Sequence, residues 1–268
     1  MTDTNERLRT QKITDSCYFN KNREGEQFVR EHIFSYQLSG TFEISNGITN
    51  YIFKPGDYRL IQRNHLVKFS KNPAPQEEFR SISVHLDQET LRRVSAEQRI
   101  YAKPLDRGDF VVKLKPQRLF ESYIKSLSPY HEPGSFNNSH LEDIKVQEAI
   151  IILLQYNPEL KDILFDFSDP GKIDLRGFME KNFHFNVQLS RFAYLSGRSL
   201  ATFKRDFEKI FNSSPARWLQ QRRLQEAFFL IKEKGKTSSE IYLDLGFEDL
   251  SHFTFAFKNK FGITPSKL

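Results

Sequence analysis

Two copies of one helical pattern occur in the last hundred residues, and this repetition constrains the fold more than any other feature of the sequence. In the first copy, a short segment with an apolar face, Val187 to Leu195, is followed by the breaker Ser196-Gly197-Arg198. A second amphipathic segment, Ser199 to Phe211, comes next. A helix, a glycine-containing turn and a second helix form a helix-turn-helix. We therefore predict this motif over residues 188–209.

The second copy lies 49 positions further on, measured between the turn glycines, of which the second is Gly246. Thr237 and Glu240 have the spacing of a capping box at the start of its first helix. Its last helix is predicted from Leu250 to Phe261, because phenylalanines recur there at every fourth position. The second helix-turn-helix is therefore predicted over residues 236–259.

A long helix is predicted between the two copies. Ser214 and Pro215 are an N-cap followed by proline at the first helical position, and Gly235 provides the end of the helix. Such a helix would join the two motifs rigidly. A single helix-turn-helix also occurs in proteins that never contact DNA, whereas two in tandem are more specific.

The positive charge of the chain is concentrated in the same region. The whole chain carries a net charge of +6, and from Lys172 to the end there are 17 Lys and Arg against 10 Asp and Glu, a net charge of +7. The preceding 171 residues hold 23 basic and 24 acidic side chains. A basic domain attached to a near-neutral one indicates a polyanionic partner, usually nucleic acid. A solvated basic surface would give the same count.

The first part of the chain has strand patterns. Phe34, Tyr36 and Leu38 alternate with polar residues, and the segment FRSISVHL, residues 79–86, alternates in the same way. Asn46-Gly47 is a hairpin turn signal. Short strands at this spacing predict a small antiparallel barrel or sandwich over about residues 28–115.

Helices are predicted after the strands, over about residues 116–166. One of them begins with a capping box of Ser139 and Glu142, runs to about Tyr156 and is apolar on more than one side. We interpret part of this apolar surface, over residues 141–165, as a homodimer contact, and burial in the core of the same subunit is the alternative. A linker at Ser168–Gly171 then divides domains 1–168 and 169–268.

The quoted residues resemble a known family. The stretch FAYLSGRSLATFKRDFEKIF, the stretch SPARWLQQRRLQEAFFLI and the closing run LGFEDLSHFTFAFKNKFGITP resemble the DNA-binding domain of the AraC/XylS transcription regulators, from about Lys172 to Leu268. The segment KPGDYRLIQRNHLV resembles the cupin-like sensor and dimerisation domain of that family. The resemblance implies an α+β chain of two domains, a cupin-like β-barrel with following helices and an all-α domain with two helix-turn-helix motifs.

The resemblance also implies how the chain acts. The two recognition helices would enter successive major grooves on one face of double-stranded DNA, and RNA polymerase would be the protein partner of an activator. The predicted base contacts are Ser199, Ala201, Thr202, Lys204, Arg205, Ser251, His252, Thr254 and Phe255. The predicted phosphate contacts are Arg198, Arg222, Arg223, Lys236 and Lys258. A solvated surface role is the alternative for each of these five.

Two of these residues bear most directly on which DNA sequence the chain would prefer. Arg205 is the strongest predicted base reader, because arginine can bond bidentately to guanine. Phe255 departs from the family pattern, in which a basic or amide residue is common at this position, and its ring cannot hydrogen-bond to a base edge. Either Phe255 packs on methyl groups and sugars, or the second motif mainly contacts the DNA backbone. We favour the second interpretation.

The sequence of the predicted barrel suggests a ligand pocket but no catalytic, metal or cofactor site. An anionic effector pocket is predicted from Arg59, Arg63, His65, Arg80 and His85. No metal site and no cofactor are expected, because no His-x-His pair, Walker loop or dinucleotide fingerprint occurs. The single cysteine, Cys17, and the longest apolar run, six residues from Ala149 to Leu154, predict a cytoplasmic protein without a membrane span.

Three functions remain open from the sequence. The first is a sequence-specific transcriptional regulator, an activator by family resemblance, whose N-terminal domain dimerises or senses a ligand or partner protein. The second is an architectural protein that binds DNA of any sequence. The third is an enzyme built on the barrel, and we expect no enzymatic activity.

Overall fold

The computed structural model describes residues 12–18, 23–103, 109–128 and 139–268. The chain divides into two compact units. The first contains the residues up to Gly25, Val29–His65 and Phe69–Ser168, and the second contains Glu26–Phe28, Leu66–Lys68 and Asp169–Leu268. The α+β prediction is confirmed, since strands dominate the beginning of the chain and helices its last hundred residues.

Nine strands lie in the described ranges. They are β1 (Ile13–Tyr18), β2 (Arg23–Val29), β3 (His32–Ser39), β4 (Thr41–Ser45), β5 (Asn50–Phe53), β6 (Tyr58–Ile61), β7 (His65–Asn72), β8 (Phe79–Leu86) and β9 (Val111–Leu114). They form a five-stranded sheet, in the order β1-β8-β3-β6-β9, and a four-stranded sheet, in the order β2-β7-β4-β5. The predicted hairpin turn at Asn46-Gly47 joins β4 to β5.

The α-helices in the described part of the first unit follow or interrupt the strands. They are α1 (Gln88–Gln98), α2 (Arg118–Ser126), α3 (Ser139–Tyr156) and α4 (Lys161–Leu164). The bounds of α3 match the prediction, while the Ser139 side chain, predicted to form a capping box, lies outside the described atoms. Helix α1 was not predicted. Asp87 caps it by accepting a hydrogen bond of 2.9 Å from the Thr90 backbone amide.

The alternation of β3 positions the core of the first unit. Phe34 pairs with Leu60 on one side and with Val84 on the other, so these apolar side chains share one face of the five-stranded sheet. The Phe34 ring lies 5.4 Å from the Phe120 ring of α2, measured between centroids. The apolar face of the sheet is therefore covered by helices, and Leu153 of α3 is fully buried in the same core.

The second unit contains six α-helices among its described residues. They are α5 (Leu175–Asn182), α6 (Leu189–Leu195), α7 (Leu200–Phe211), α8 (Pro215–Lys234), α9 (Ser238–Ile241) and α10 (Leu250–Phe261). The predicted capping box of Thr237 and Glu240 is confirmed at α9, and Gly235 ends α8 in the left-handed conformation as predicted. Helix α9 is shorter than predicted, because the chain turns after Ile241.

Helix α8 holds the second unit together. Near its start, the Trp218 ring packs against Phe207 and Phe211 of α7, at centroid distances of 5.6 and 4.6 Å. Near its end, the Phe228 ring lies 4.8 Å from Phe261 of α10. Aromatic pairs at these distances add to the free energy of burying the rings. One rigid helix thus contacts both predicted recognition helices.

The buried His32 makes the stability of the first unit depend on pH. Its Nδ1 accepts a hydrogen bond from the Arg63 backbone amide, and its Nε2 has no hydrogen-bond partner among the described residues. Burial, together with the charge of Arg63, lowers the pKa of His32 to about 3. Below about pH 6.5 the unfolded chain therefore binds a proton that the folded chain does not.

We predict that the free energy of unfolding decreases between pH 7 and pH 5, by about 2 kcal/mol through His32 alone. Urea titrations of the wild type and of His32→Asn at the two pH values measure this. The asparagine oxygen can accept the Arg63 hydrogen bond without titrating, so the variant should lose the His32 part, about 2 kcal/mol. The partly buried His85 and His184, whose pKa values are also lowered, keep theirs. His252→Asn, at an exposed position, is the control. Equal pH dependence in wild type and His32→Asn would contradict the prediction.

Candidate nucleic-acid interface

The first helix-turn-helix is α6, the turn Ser196–Arg198 and α7. Ala193 is 1% exposed, and its small side chain lets the two helices approach. Gly197 has a φ of +68°, and a Cβ at this position would lie 2.3 Å from the Gly171 backbone. Both the conformation and the space therefore require glycine in this turn.

Helix α7 separates a buried face from an exposed one. Phe203 and Phe207 are fully buried. The predicted base-contacting residues Ala201, Lys204 and Arg205 are exposed, as the apolar periodicity indicated. The other two predicted residues of this motif take part in the helix start. Ser199 is the N-cap, with its Oγ accepting a hydrogen bond of 3.2 Å from the amide of Thr202, which is half-buried.

Asp206 organises the charges around α7 and was not singled out from the sequence. Its Oδ2 accepts a hydrogen bond of 3.1 Å from Arg198 Nε, and its Oδ1 lies 3.8 Å from Arg205 Nε. The hydrogen bond from Arg198 lowers the pKa of the Asp206 carboxyl. The Arg205 side chain remains 66% exposed. A long surface ion pair of this kind is weak.

Arg198 has a different environment from Arg205. Its side chain is only 6% exposed, and its Nη1 donates to the backbone oxygens of Ile173 and Ser196 at 3.1 and 2.7 Å. These bonds, with the one to Asp206, connect the turn of the first motif to the segment that precedes α5. The donors of Arg198 are directed to the protein.

The second helix-turn-helix is α9, the following turn with Gly246, and α10. Gly246 has a φ of +81°, and a Cβ there would lie 2.7 Å from the His184 backbone oxygen. Asp249 caps α10 by accepting a hydrogen bond of 2.6 Å from the His252 amide. Phe253 and Phe257 are fully buried. The predicted DNA-contacting residues of α10 that are exposed are Ser251, His252, Phe255 and Lys258, while Thr254 is half-buried.

The other four predicted phosphate contacts differ in their hydrogen-bond and ion-pair partners. Arg222 forms ion pairs of 3.0 Å with Glu180 and with Glu226. Lys236 is about half exposed and lies 3.8 Å from Glu240. Its charge, like that of Lys258, is open to solvent.

Arg223 is bound entirely by backbone. It donates hydrogen bonds of 2.8 Å to the carbonyl oxygens of Phe183, Phe185 and Gly246. Burial lowers the pKa of its guanidinium. The three carbonyls come from the segment after α5 and from the turn of the second motif. Arg223 therefore connects the second motif to the rest of the unit.

The predicted effector residues in the first unit have separate partners. Arg59 is 2% exposed, with its guanidinium carbon 4.3 Å from the centre of the Phe42 ring of the other sheet. Its Nη1 donates to Gln37 at 3.3 Å, its Nε has no hydrogen-bond partner within the described ranges, and burial lowers its pKa to about 9. Arg63 Nη2, by contrast, donates to the backbone oxygens of Asp166 and Ser168.

The other three predicted effector residues also have partners of their own. Arg80 pairs with Asp15 at 2.8 Å. His65 Nδ1 lies 2.9 Å from the Arg63 backbone oxygen, and His85 Nδ1 lies 3.9 Å from a Glu31 carboxylate oxygen. The five residues therefore do not converge on one group in the described structure.

In the described part of the chain, no three His, Cys, Asp or Glu side chains are grouped so that they could hold a metal ion. No helix in the same residues has the length and apolar character that a membrane span requires.

Both units match known protein families. Residues 32–163 match the family described as the ExsA N-terminal regulatory domain, and residues 193–268 match a helix-turn-helix domain family. The HTH-type transcriptional regulator ExsA of Pseudomonas aeruginosa is 24% identical over 94% of this chain and 91% of its own length. The virulence regulon transcriptional activator VirF of Yersinia enterocolitica is 36% identical over 48% of this chain and 48% of its own length.

A solved structure is similar over most of the chain. ToxT from Vibrio cholerae is 14% identical, with a TM-score of 0.41, over 96% of this chain and 97% of its own.

The matched regions agree with the motifs that the sequence indicated. The helix-turn-helix match contains α7, α8 and α10 in full, and the regulatory-domain match begins at β3 and extends past α3. The relative that spans nearly the whole chain is a transcriptional regulator. The chain belongs to the AraC/XylS family of DNA-binding transcriptional regulators.

Proposed function

We propose that this chain is a sequence-specific transcription activator that inserts α7 and α10 into two successive major grooves of a promoter. The observation that carries the proposal is that both helices expose one face to solvent while α8 contacts the buried face of each. An exposed recognition helix is the part of a helix-turn-helix that reads base edges. VirF, a relative of this chain, is a transcriptional activator, which supports activation over repression.

Base reading by the first motif is assigned to the exposed residues of α7. Arg205 bonds to a guanine, because its guanidinium can reach O6 and N7 together. Lys204 lies beside it on the same exposed surface. Ala201 and the Thr202 methyl group are suited to a thymine methyl group. Ser199 lies at the helix N-terminus, which itself favours a phosphate.

The basic side chains divide between DNA and scaffold. Lys236 and Lys258 are exposed and contact phosphates in this proposal. Arg198 and Arg223 donate mainly to backbone carbonyl oxygens and serve the fold instead. Arg222, bound by two carboxylates, contacts phosphate only if it exchanges one of them.

The first unit forms the homodimer in this proposal. Leu141, Ile144 and Ile151 are exposed on α3 at 41%, 46% and 39%, and their spacing places them on one side of the helix. The opposite side of α3 is buried in the core through Ile150 and Leu153. A second copy that covers the exposed side would remove three large apolar side chains from water.

Sensing is also assigned to the first unit. A small molecule or partner protein that binds one arrangement of the dimer more tightly shifts the population toward it, without catalysis. Arg59 is the candidate for an anionic ligand, since it is the one predicted effector residue with an unpaired buried donor in the described structure. The complex acts with RNA polymerase in the cytoplasm.

We predict that Arg205→Ala reduces discrimination between the preferred DNA sequence and one altered at the base pair read by Arg205. The loss is on the order of 1–3 kcal/mol. Gel-shift titrations with a sequence selected from random DNA, at several salt concentrations, measure it. Arg93→Ala, an exposed arginine on α1, is the matched control. If the wild type shows no sequence preference at any salt concentration, it is an architectural DNA-binding protein.

Arg223 and Lys258 should respond differently to loss of charge. Arg223→Met leaves three backbone oxygens without their donor, and we expect a loss of about 3 kcal/mol in the free energy of unfolding. Lys258→Met should leave stability unchanged and reduce the slope of log affinity against log salt concentration by about 1. Urea unfolding and salt titrations of DNA binding separate the two. A stable Arg223→Met with a reduced slope would restore the phosphate assignment.

A charged residue placed on the exposed side of α3 tests the proposed dimer contact. We expect Ile151→Glu to convert a dimer into a monomer in sedimentation equilibrium, because the carboxylate would be buried without a partner. Ile48→Glu, at an apolar residue that is 75% exposed in the β4–β5 turn, should remain dimeric. A wild type that is monomeric at all concentrations would rule out this contact.

A further inference from the structure

Helices α7 and α10 are two copies of one element with different chemistry at one position. Each has twelve residues, follows a side-chain N-cap and buries phenylalanines at its fourth and eighth positions. Alignment of the two helices from their N-caps, Ser199 and Asp249, places Arg205 opposite Phe255. Both are the sixth residue of their helix, and both are exposed.

Phe255 is an unusual residue for this position. It is 65% exposed, and among the phenylalanines in the described ranges only Phe229, at 46%, is also classed as exposed. The exposed residues around Phe255 on α10 are polar or basic: Ser251, His252, Lys258 and Asn259. A single exposed phenylalanine on an arbitrary surface has no implication. This one lies in the middle of the face that corresponds to the base-reading face of α7.

The chemistry of the major groove leaves one favourable partner for this ring. The edges of guanine, cytosine and adenine present hydrogen-bond donors and acceptors there, which an aromatic ring would desolvate without replacing their bonds. Thymine presents an acceptor and, next to it, a 5-methyl group. Contact with the methyl group buries apolar surface on both sides, which is favourable. The basic neighbours, Lys258 among them, match the adjacent phosphates.

We propose that Phe255 reads the 5-methyl group of a thymine in the groove occupied by α10. The inference rests on the proposed DNA-binding function and specifies its second half-site. The first motif selects its base pair with the Arg205 guanidinium, and the second selects a thymine with an apolar ring at the equivalent helical position. The second motif therefore takes part in sequence readout and is more than a backbone contact.

Deoxyuridine is the probe, since it differs from thymidine only in lacking the methyl group. In a DNA sequence selected by the wild type from a random pool, each thymine is replaced singly by deoxyuridine, and affinity is measured by gel shift. We expect one position, about one helical turn from the Arg205-dependent base pair, at which deoxyuridine weakens wild-type binding about fourfold. Phe255→Ala should bind the two DNAs equally.

Two further variants sharpen the test. Phe255→Arg reproduces the residue of α7, and we expect it to prefer guanine over thymine at the same base pair. Phe229→Ala removes the exposed phenylalanine of α8 and should keep the wild-type ratio of affinities for thymidine and deoxyuridine DNA. Because Phe255 is 65% exposed, its replacements should fold, and thermal unfolding of each variant checks this.

The outcomes are distinguishable. A deoxyuridine penalty that is the same in wild type and Phe255→Ala at every position overturns the inference. So does a Phe255→Ala variant that loses transcription activation while its ratio of affinities for the two DNAs is unchanged, which would show that a protein partner covers the ring. If the wild type selects no sequence at all, the proposed function itself fails. If it selects a sequence with an Arg205-dependent base pair only, the function stands and this inference fails.

Discussion

Trp218 and Phe228 lie on one helix, and each packs against a different recognition helix. The Trp218 ring contacts Phe207 and Phe211 of α7, and Phe228 contacts Phe261 of α10. Ten residues separate them, which is about 15 Å along the axis of α8. Since an α-helix of this length does not compress or bend easily, the separation of the two motifs is set by the hydrogen-bonded geometry of α8. The proposed simultaneous entry of α7 and α10 into two grooves would depend on this constraint.

Part of the basic charge of the second unit is directed into the protein. The carbonyl oxygens of an irregular turn accept no hydrogen bond within a helix. Those that are buried therefore need hydrogen-bond donors from elsewhere in the protein. Arg198 supplies them at the turn of the first motif, and Arg223 at the turn of the second. The net charge of the domain therefore overstates the charge available to DNA. What remains free, including Arg205 and Lys258, lies on the exposed faces of α7 and α10.

Local signals predicted local structure well. The bounds of α3, α8 and α10 follow from caps and apolar periodicity, which depend on residues within a few positions of each other. Helix α1 was missed because its sequence, QETLRRVSAEQ, is mostly polar, although Asp87 and Thr90 were a readable cap. Such local signals could not predict the hydrogen-bond partners of the arginines. Arg223 binds oxygens 38 to 40 residues before it and 23 after it, and no spacing rule connects them.

Duplication of a helix-turn-helix allows the two copies to diverge once the buried residues are kept. The phenylalanines at the fourth and eighth positions of α7 and α10 maintain the packing, while the sixth position faces solvent and is free to change. In the proposed complex, an arginine there would add a charged, directional contact whose strength falls with salt, because both the base edge and nearby phosphates would attract it. A phenylalanine would add an apolar contact that salt does not screen. Binding through both copies would thus combine two kinds of selectivity, and raising the salt concentration would weaken the first more than the second.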